Sequence, residues 1–168
     1  VCRLKIRNQS GRPRRLSVTA YVEWVLGTSR SESAPFVVTE IDAKTGAMLA
    51  RNPWRPEFGG RGAFADLAGR QTACTGDRTE FLGRNGSLAH PAALAGGAPL
   101  SNRVGGGLDP CGALQTRLEL KPNGWAEVVF FLGEAATRAD AISAITRYRT
   151  ADLDAVLRAV IESWDGIL

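Results

Sequence analysis

A length of 168 residues, with 44% hydrophobic and 23% charged positions, fits one folded domain with a real core and excludes a disordered chain. The formal charge of +4 is local. Arg3, Lys5, Arg7, Arg12, Arg14 and Arg15 precede any acid, leaving fifteen basic against seventeen acidic residues in the rest, so a solvated basic face is expected rather than a nucleic-acid surface.

From the start of the chain, Cys2, Leu4 and Ile6 alternate with Arg3, Lys5 and Arg7, the period-two pattern of a half-buried strand. Asn8 to Gly11 is turn chemistry. Leu16, Val18, Ala20, Val22, Trp24 and Leu26 then alternate with polar neighbours, predicting a long strand that pairs back on the first as a hairpin. A second hairpin is predicted from Phe36–Ile41, the turn Asp42–Gly46 and Ala47–Ala50. Ala63–Leu67 is a short strand. Leu114–Leu120 leads through Lys121-Pro-Asn-Gly124 into a partner strand, Trp125–Leu132, with Pro122 fixing φ and Gly124 supplying a positive one.

Between Ala68 and Ala113 the pattern dissolves and ten of the nineteen glycines gather. So long a loop in a compact domain points to function, with short strands hidden inside it. After Gly133, Thr137 with Asp140 predicts a capped helix. Leu153, Val156, Leu157, Val160, Ile161 and Trp164 follow at helical spacing. The fold class is therefore mainly β, an antiparallel β-sandwich over residues 1–133, with one or two C-terminal α-helices in 134–168. The opening at Val1, already inside a strand, suggests a fragment of a longer protein.

Cys2, Cys74 and Cys111 are odd in number and lack C-x-x-C spacing, and His90 stands alone, so neither a disulfide framework nor a metal site is expected. Reduced thiols suit a cytoplasmic setting. No apolar run is long enough to span a bilayer, and no signal-peptide pattern opens the chain, so this segment is not expected to insert in a membrane.

Asp77, Arg78, Glu80, Arg84, Asn85 and Asp109 lie among glycines, a mixture suited to hydrogen-bonding sugar hydroxyls. The same residues also suit internal pairing that holds an irregular loop. Asp77 and Glu80 make a poor glycosidase pair, since nearness in sequence does not place them across a glycosidic bond. Ala89-His-Pro91 has no nucleophile elbow, and Arg103–Asp109 resembles a phosphate loop only in its glycines. No catalytic residue is expected in this chain. Trp24 and Trp164 fall on core stripes, whereas Trp54, in Arg51-Asn-Pro-Trp-Arg-Pro56, has a loop setting that favours exposure and sugar stacking.

The stretches Leu16–Gly27, Ala50–Trp54, Ala63–Asp66, Thr75–Gly86, Gly107–Gln115 and Phe131–Gly133, collinear across the chain, resemble glycoside hydrolase family 94. The similarity is to its branch of cyclic β-1,2-glucan synthases, beside the cellobiose and chitobiose phosphorylases. The resemblance implies the later part of the family's N-terminal β-sandwich, the supersandwich, followed by a helical linker to an (α/α)6 catalytic barrel outside this chain. It implies no cofactor, with inorganic phosphate as co-substrate of the whole enzyme. The implied partners are the barrel, a β-glucan oligosaccharide and a second copy in a homodimer. The implied setting is cytoplasmic, including the cytosolic part of a bacterial inner-membrane protein. Asp77, Arg78, Glu80, Arg84, Asn85 and Trp54 become candidates for the surface facing barrel or glucan. The alternatives are an independent glucan-binding module and a purely architectural or dimerising domain. Gly62 departs from the apolar β-former expected before Ala63 and predicts a bulge; Cys74 stands where a polar or aromatic residue is expected.

Overall fold

The computed structural model describes residues 1–55 and 59–167. The chain forms β1 (Cys2–Arg7), β2 (Arg14–Glu23), the helical turn α1 (Arg30–Ser33) with a 3-10 turn (Ala34–Phe36), β3 (Val38–Ile41), β4 (Met48–Arg51), β5 (Gly62–Asp66) and β6 (Ala73–Asp77). Then come the short helices α2 (Arg78–Leu82) and α3 (Ala92–Ala95), β7 (Pro110–Leu120), β8 (Trp125–Ala135), α4 (Arg138–Thr150) and α5 (Leu153–Asp165). Strands β1-β8-β5-β4-β3 make one antiparallel sheet and β2-β7-β6 a second.

Alternation assigns each side chain to a layer. Met48, Ala50, Ala63, Ala65 and Val128 of the larger sheet meet Cys74 and Leu114 of the smaller, with Trp24 buried among them. Leu49, Phe64 and Phe131 point to the opposite face, where Ala141 and Ile145 of α4 cover them. On the outer face of the smaller sheet Ala73, Cys111 and Ala113 pack against Phe81, Leu82 and Leu100.

The first two strands do not pair as the sequence pattern predicts. β1 pairs with β8 and β2 with β7, in different sheets. β7 and β8 likewise cross between sheets instead of pairing with each other. Two crossovers side by side leave carbonyls outside any ladder, and buried Asn8 satisfies them. Its Nδ2 donates to the carbonyls of Arg12 (2.8 Å), Lys121 (2.9 Å) and Leu120 (3.3 Å), and its backbone N–H donates to the Gly124 carbonyl. In the turn itself the positive φ belongs to Asn123 at 58°, not to Gly124. The Gly124 N–H donates to the Lys121 carbonyl, the geometry of a type II turn.

The β3–β4 hairpin forms as expected, its turn closed by Asp42, which accepts from the Thr45 N–H and hydroxyl, both at 2.8 Å. Gly62 pairs regularly with Ala135 and marks no bulge. The bulge lies instead in β6, between Thr75 and Asp77. β6 is the strand hidden in the glycine-rich stretch, and all five of its residues are buried. The bulge frees the Gly76 N–H to donate to the Arg103 carbonyl (2.7 Å), while the Thr39 N–H of β3 donates to the Gly105 carbonyl (3.1 Å). The loop around Gly105 (φ 138°) and Gly107 (φ 72°) thus covers the β3 and β6 edges, a conformational use of its glycines.

Thr137 caps α4 and accepts from the Asp140 N–H, as predicted. The helix is then clamped at both ends. Arg138 donates to Asp42 (2.6 Å) and Glu40 (3.1 Å), while Arg149 grips fully buried Asp66 through Nε (2.8 Å) and Nη2 (2.7 Å). α5 is held mainly at its start, through Leu153 against the core and an Arg3–Asp154 ion pair. Leu157, Val160, Ile161 and Trp164 stay exposed, so Trp164 is not a core residue of this chain. The 134–168 segment ends at Leu168, which lies outside the described residues.

Candidate functional site

Arg78, at the first position of α2, points toward the end of β2. Its Nε donates to Glu23 (2.9 Å) and its Nη1 to Asp109 (3.5 Å). Arg30 of α1 closes the ring, donating to the other Glu23 oxygen at 2.8 Å and to Asp109. Tyr21 adds a hydroxyl donor to Glu23 at 2.8 Å. Burial alone would raise the Glu23 carboxyl. The hydrogen bonds from Tyr21 and Arg78, with the Arg30 and Arg78 charges, outweigh burial and hold it below the usual carboxylate range. The Tyr21 hydroxyl is pushed up, first by burial and then by its bond to Glu23.

Next to this ring, Asp77 caps α2 by accepting from the Thr79 N–H (3.0 Å) and takes Arg103 on its other oxygen (3.1 Å). Glu80 accepts from the Ser101 N–H (2.9 Å), the Ser101 hydroxyl (2.7 Å) and the buried Thr75 hydroxyl (2.6 Å). Here too burial opposes ionisation, and the bonds from Thr75 and Ser101 with the Arg103 charge prevail, so the carboxyl is lowered. Every carboxylate oxygen of Glu23, Asp77, Glu80 and Asp109 has a partner inside the chain.

Arg84 and Asn85 sit on the exposed turn after α2, without a side-chain hydrogen bond among the described residues. Trp54 lies in a different part of the fold, 66% exposed and stacked on Phe36 with ring centroids 4.7 Å apart and planes 11° from parallel. It is not alone in its exposure, since Trp125 is also 69% exposed. Pro56 of its motif lies outside the described residues.

Beside the Trp54 segment the fold forms a cavity of about 350 Å³. Among the described residues it is lined by Leu26, Gly27 and Thr28 after β2, Asn52 and Arg55 after β4, Arg61 to Ala63 at the start of β5, and Glu134 near the end of β8. Arg61 pairs with Glu134 (Nε to Oε2, 2.9 Å), and Arg55 reaches Glu32 and Thr28 at 3.3 Å. Of the sequence candidates, Asp77, Arg78 and Glu80 are thus brought together. Arg84 and Asn85 stand outside their network, and Trp54 stands apart with the cavity. Glu23, Arg30, Arg61 and Glu134 escaped sequence reasoning because each is a single charged residue on a strand or turn.

Cys74 and Cys111 are free and buried, and burial pushes their thiols up to about 11 and about 12. No group of three His, Cys, Asp or Glu side chains is placed to hold a metal among the described residues. Among the same residues no helix is long and apolar enough to cross a membrane.

A family model described as the glycosyl hydrolase 94 supersandwich domain matches residues 1–151, which include all eight strands and α4. The chain is also 37% identical, over 162 residues and 96% of its length, to the cyclic beta-(1,2)-glucan synthase NdvB of Rhizobium meliloti (strain 1021). The matched part is 6% of that relative, so the chain spans a small fraction of its length.

Proposed function

The chain belongs to the glycosyl hydrolase 94 supersandwich family, and on that premise we propose that it is a non-catalytic, carbohydrate-binding and structural β-sandwich of a β-glucan-processing enzyme. The observation that carries the reading is the engagement of its acids. Asp77 and Glu80, the nearest carboxylate pair in the glycine-rich stretch, are held by Thr79, Arg103, Thr75 and Ser101, a role in positioning backbone rather than in moving protons.

In this reading the chemistry belongs to an (α/α)6 barrel outside this chain, where a glucosyl unit passes between a β-glucan oligosaccharide and inorganic phosphate, as in a cyclic glucan synthase or phosphorylase. The chain needs no cofactor and works on the cytoplasmic side. Incubated with β-1,2-glucan and phosphate, it is expected to release no glucose 1-phosphate; release would overturn the reading.

A purely architectural or dimerising role is favoured by one feature, the apolar stripe of Leu157, Val160, Ile161 and Trp164 on α5, which suits a docked barrel or a second copy. Sedimentation at several concentrations distinguishes a dimer, and calorimetry with linear and cyclic β-1,2-glucans distinguishes a scaffold, which gives no heat.

A further inference from the structure

We infer that the cavity between Leu26, Asn52, Arg61 and Glu134 is a binding site for a short neutral saccharide segment; Trp54 is not one of its lining residues, and its exposed ring, on the segment between Asn52 and Arg55, serves as an aromatic platform beside it. The inference rests on the reading above, that this domain meets a glucan, and adds where and how. A volume of about 350 Å³ falls within the range of small-molecule sites.

The charge balance selects the ligand class. Among the described residues each arginine lining the cavity has a carboxylate partner, Arg61 with Glu134 and Arg55 with Glu32, so the formal charges of these pairs cancel and they offer a phosphate no excess positive charge. What remains is a set of directional donors and acceptors: guanidinium N–H groups, carboxylate oxygens and the Thr28 hydroxyl. Leu26 and Ala63 supply apolar lining, and Gly27 and Gly62 add no side chain. Hydroxyl-facing groups beside apolar wall suit a sugar, which has polar edges and C–H faces.

The site is also preset. Leu26 holds φ at 42°, a left-handed conformation costly for a bulky residue and typical of positions that the surrounding structure over-determines. Buried Asn52 keeps it there by donating to the Leu26 carbonyl at 3.0 Å. The same amide accepts from the Trp54 N–H at 3.2 Å, tying the strained turn to the aromatic platform. Phe36 stacks on one face of the Trp54 ring, so the indole is ordered before any ligand arrives.

The test is hydrogen exchange, read by mass spectrometry on the complete protein with a linear β-1,2-glucooligosaccharide and, in a separate arm, inorganic phosphate. The oligosaccharide is expected to protect peptides covering residues 24–30 and 60–66, and phosphate is expected to leave them unchanged. Arg61→Ala and the surface variant Trp54→Ala are each expected to weaken that local protection about tenfold in apparent affinity, the effect of losing roughly 1.4 kcal/mol of contact, with exchange in β7 and α4 unaltered. Protection elsewhere on the domain but not here, protection by phosphate, or undiminished protection in both variants would overturn the site. Those outcomes leave the non-catalytic reading standing, since it fails only on glucose 1-phosphate release by this chain.

Discussion

Around Arg78 every charged group meets an opposite charge inside the fold, whereas around Arg61 the same residue types face a cavity. The Arg78 network ties α1 and α2 to the place where the β2–β7 ladder ends, at Glu23 and the approach to β7. Irregular backbone there needs side-chain partners to be satisfied at all. One side of the cavity is fixed by ladders, with Ala63 paired to both Ala50 and Glu134 and Gly62 to Ala135, and the other is formed by the turns after β2 and β4. An ion pair as exposed as Arg61–Glu134 is screened by solvent and adds little to folding, so its groups can turn to a ligand at little cost. A concentration of arginine and carboxylate is therefore no mark of a site by itself. What matters is whether the backbone beneath it depends on those groups.

The largest effect expected from this contrast is on the closed side. Thr75→Val removes a fully buried hydroxyl that donates to Glu80 and accepts from the Asp77 N–H. It leaves that N–H unpaired at nearly constant volume, so a loss of about 2–3 kcal/mol is expected in urea unfolding, with glucan protection at the cavity retained. Equal stability to the parent chain would show that the network is decorative.

Glu23→Gln comes next, at about 1–2 kcal/mol near neutral pH, because two arginines lose a shared carboxylate that is still partly solvated. It also carries a pH signature. Glu23 and Glu80 both titrate below their ordinary value of 4.5 in the folded chain. Their contribution is therefore present above that value and lost as pH falls through the lowered folded pKa. The acid limb of stability against pH should be shallower in Glu23→Gln than in the parent, and parallel limbs would contradict the assignment.

These two predictions concern residues whose role was only half legible. The alternation of β1, β2, β7 and β8 shows in the sequence, but burial does not simply follow it: Cys2 and Leu4 of β1 are exposed, and Pro110–Thr116 of β7 is buried on both faces. Alternation fixes which side chains share a face but not which strand lies alongside, and Asn8, whose side chain ties both crossovers, reads simply as a turn residue. β6 was hidden because Ala-Cys-Thr-Gly-Asp is buried on both faces, its polar side chains satisfied by Glu80, Thr79 and Arg103 from outside the strand. The helix caps at Thr137 and Asp152 use local partners, yet only the first was read. Pairing of Arg78 with Glu23 spans 55 positions, beyond any local pattern. The segment Thr75–Gly86 carries the family resemblance, and its acids Asp77 and Glu80 take up the internal pairing that the sequence also allowed.

On the open side the expected stability effects are smaller. Arg61→Ala should leave the urea-unfolding midpoint close to that of the parent, since the ladder partners of Gly62 and Ala63 are backbone groups. A drop in the midpoint as large as that of Thr75→Val would mean that the pair closes the sandwich end and is not free for a ligand.

Smallest of all is the double variant Arg84→Ala, Asn85→Ala, expected within about 0.5 kcal/mol of the parent because both side chains are exposed. The turn that carries them is nevertheless tightly specified. Gly83 has φ at 87°, and a Cβ at Gly86 would run into the Leu82 carbonyl. A rigid turn presenting two unengaged polar side chains is suited to contact with something outside this domain, so in the complete protein the variant should lower glucan phosphorolysis while leaving stability alone. Unchanged phosphorolysis would remove this turn from the proposed functional surface and leave the Arg61 cavity as the remaining candidate for glucan contact.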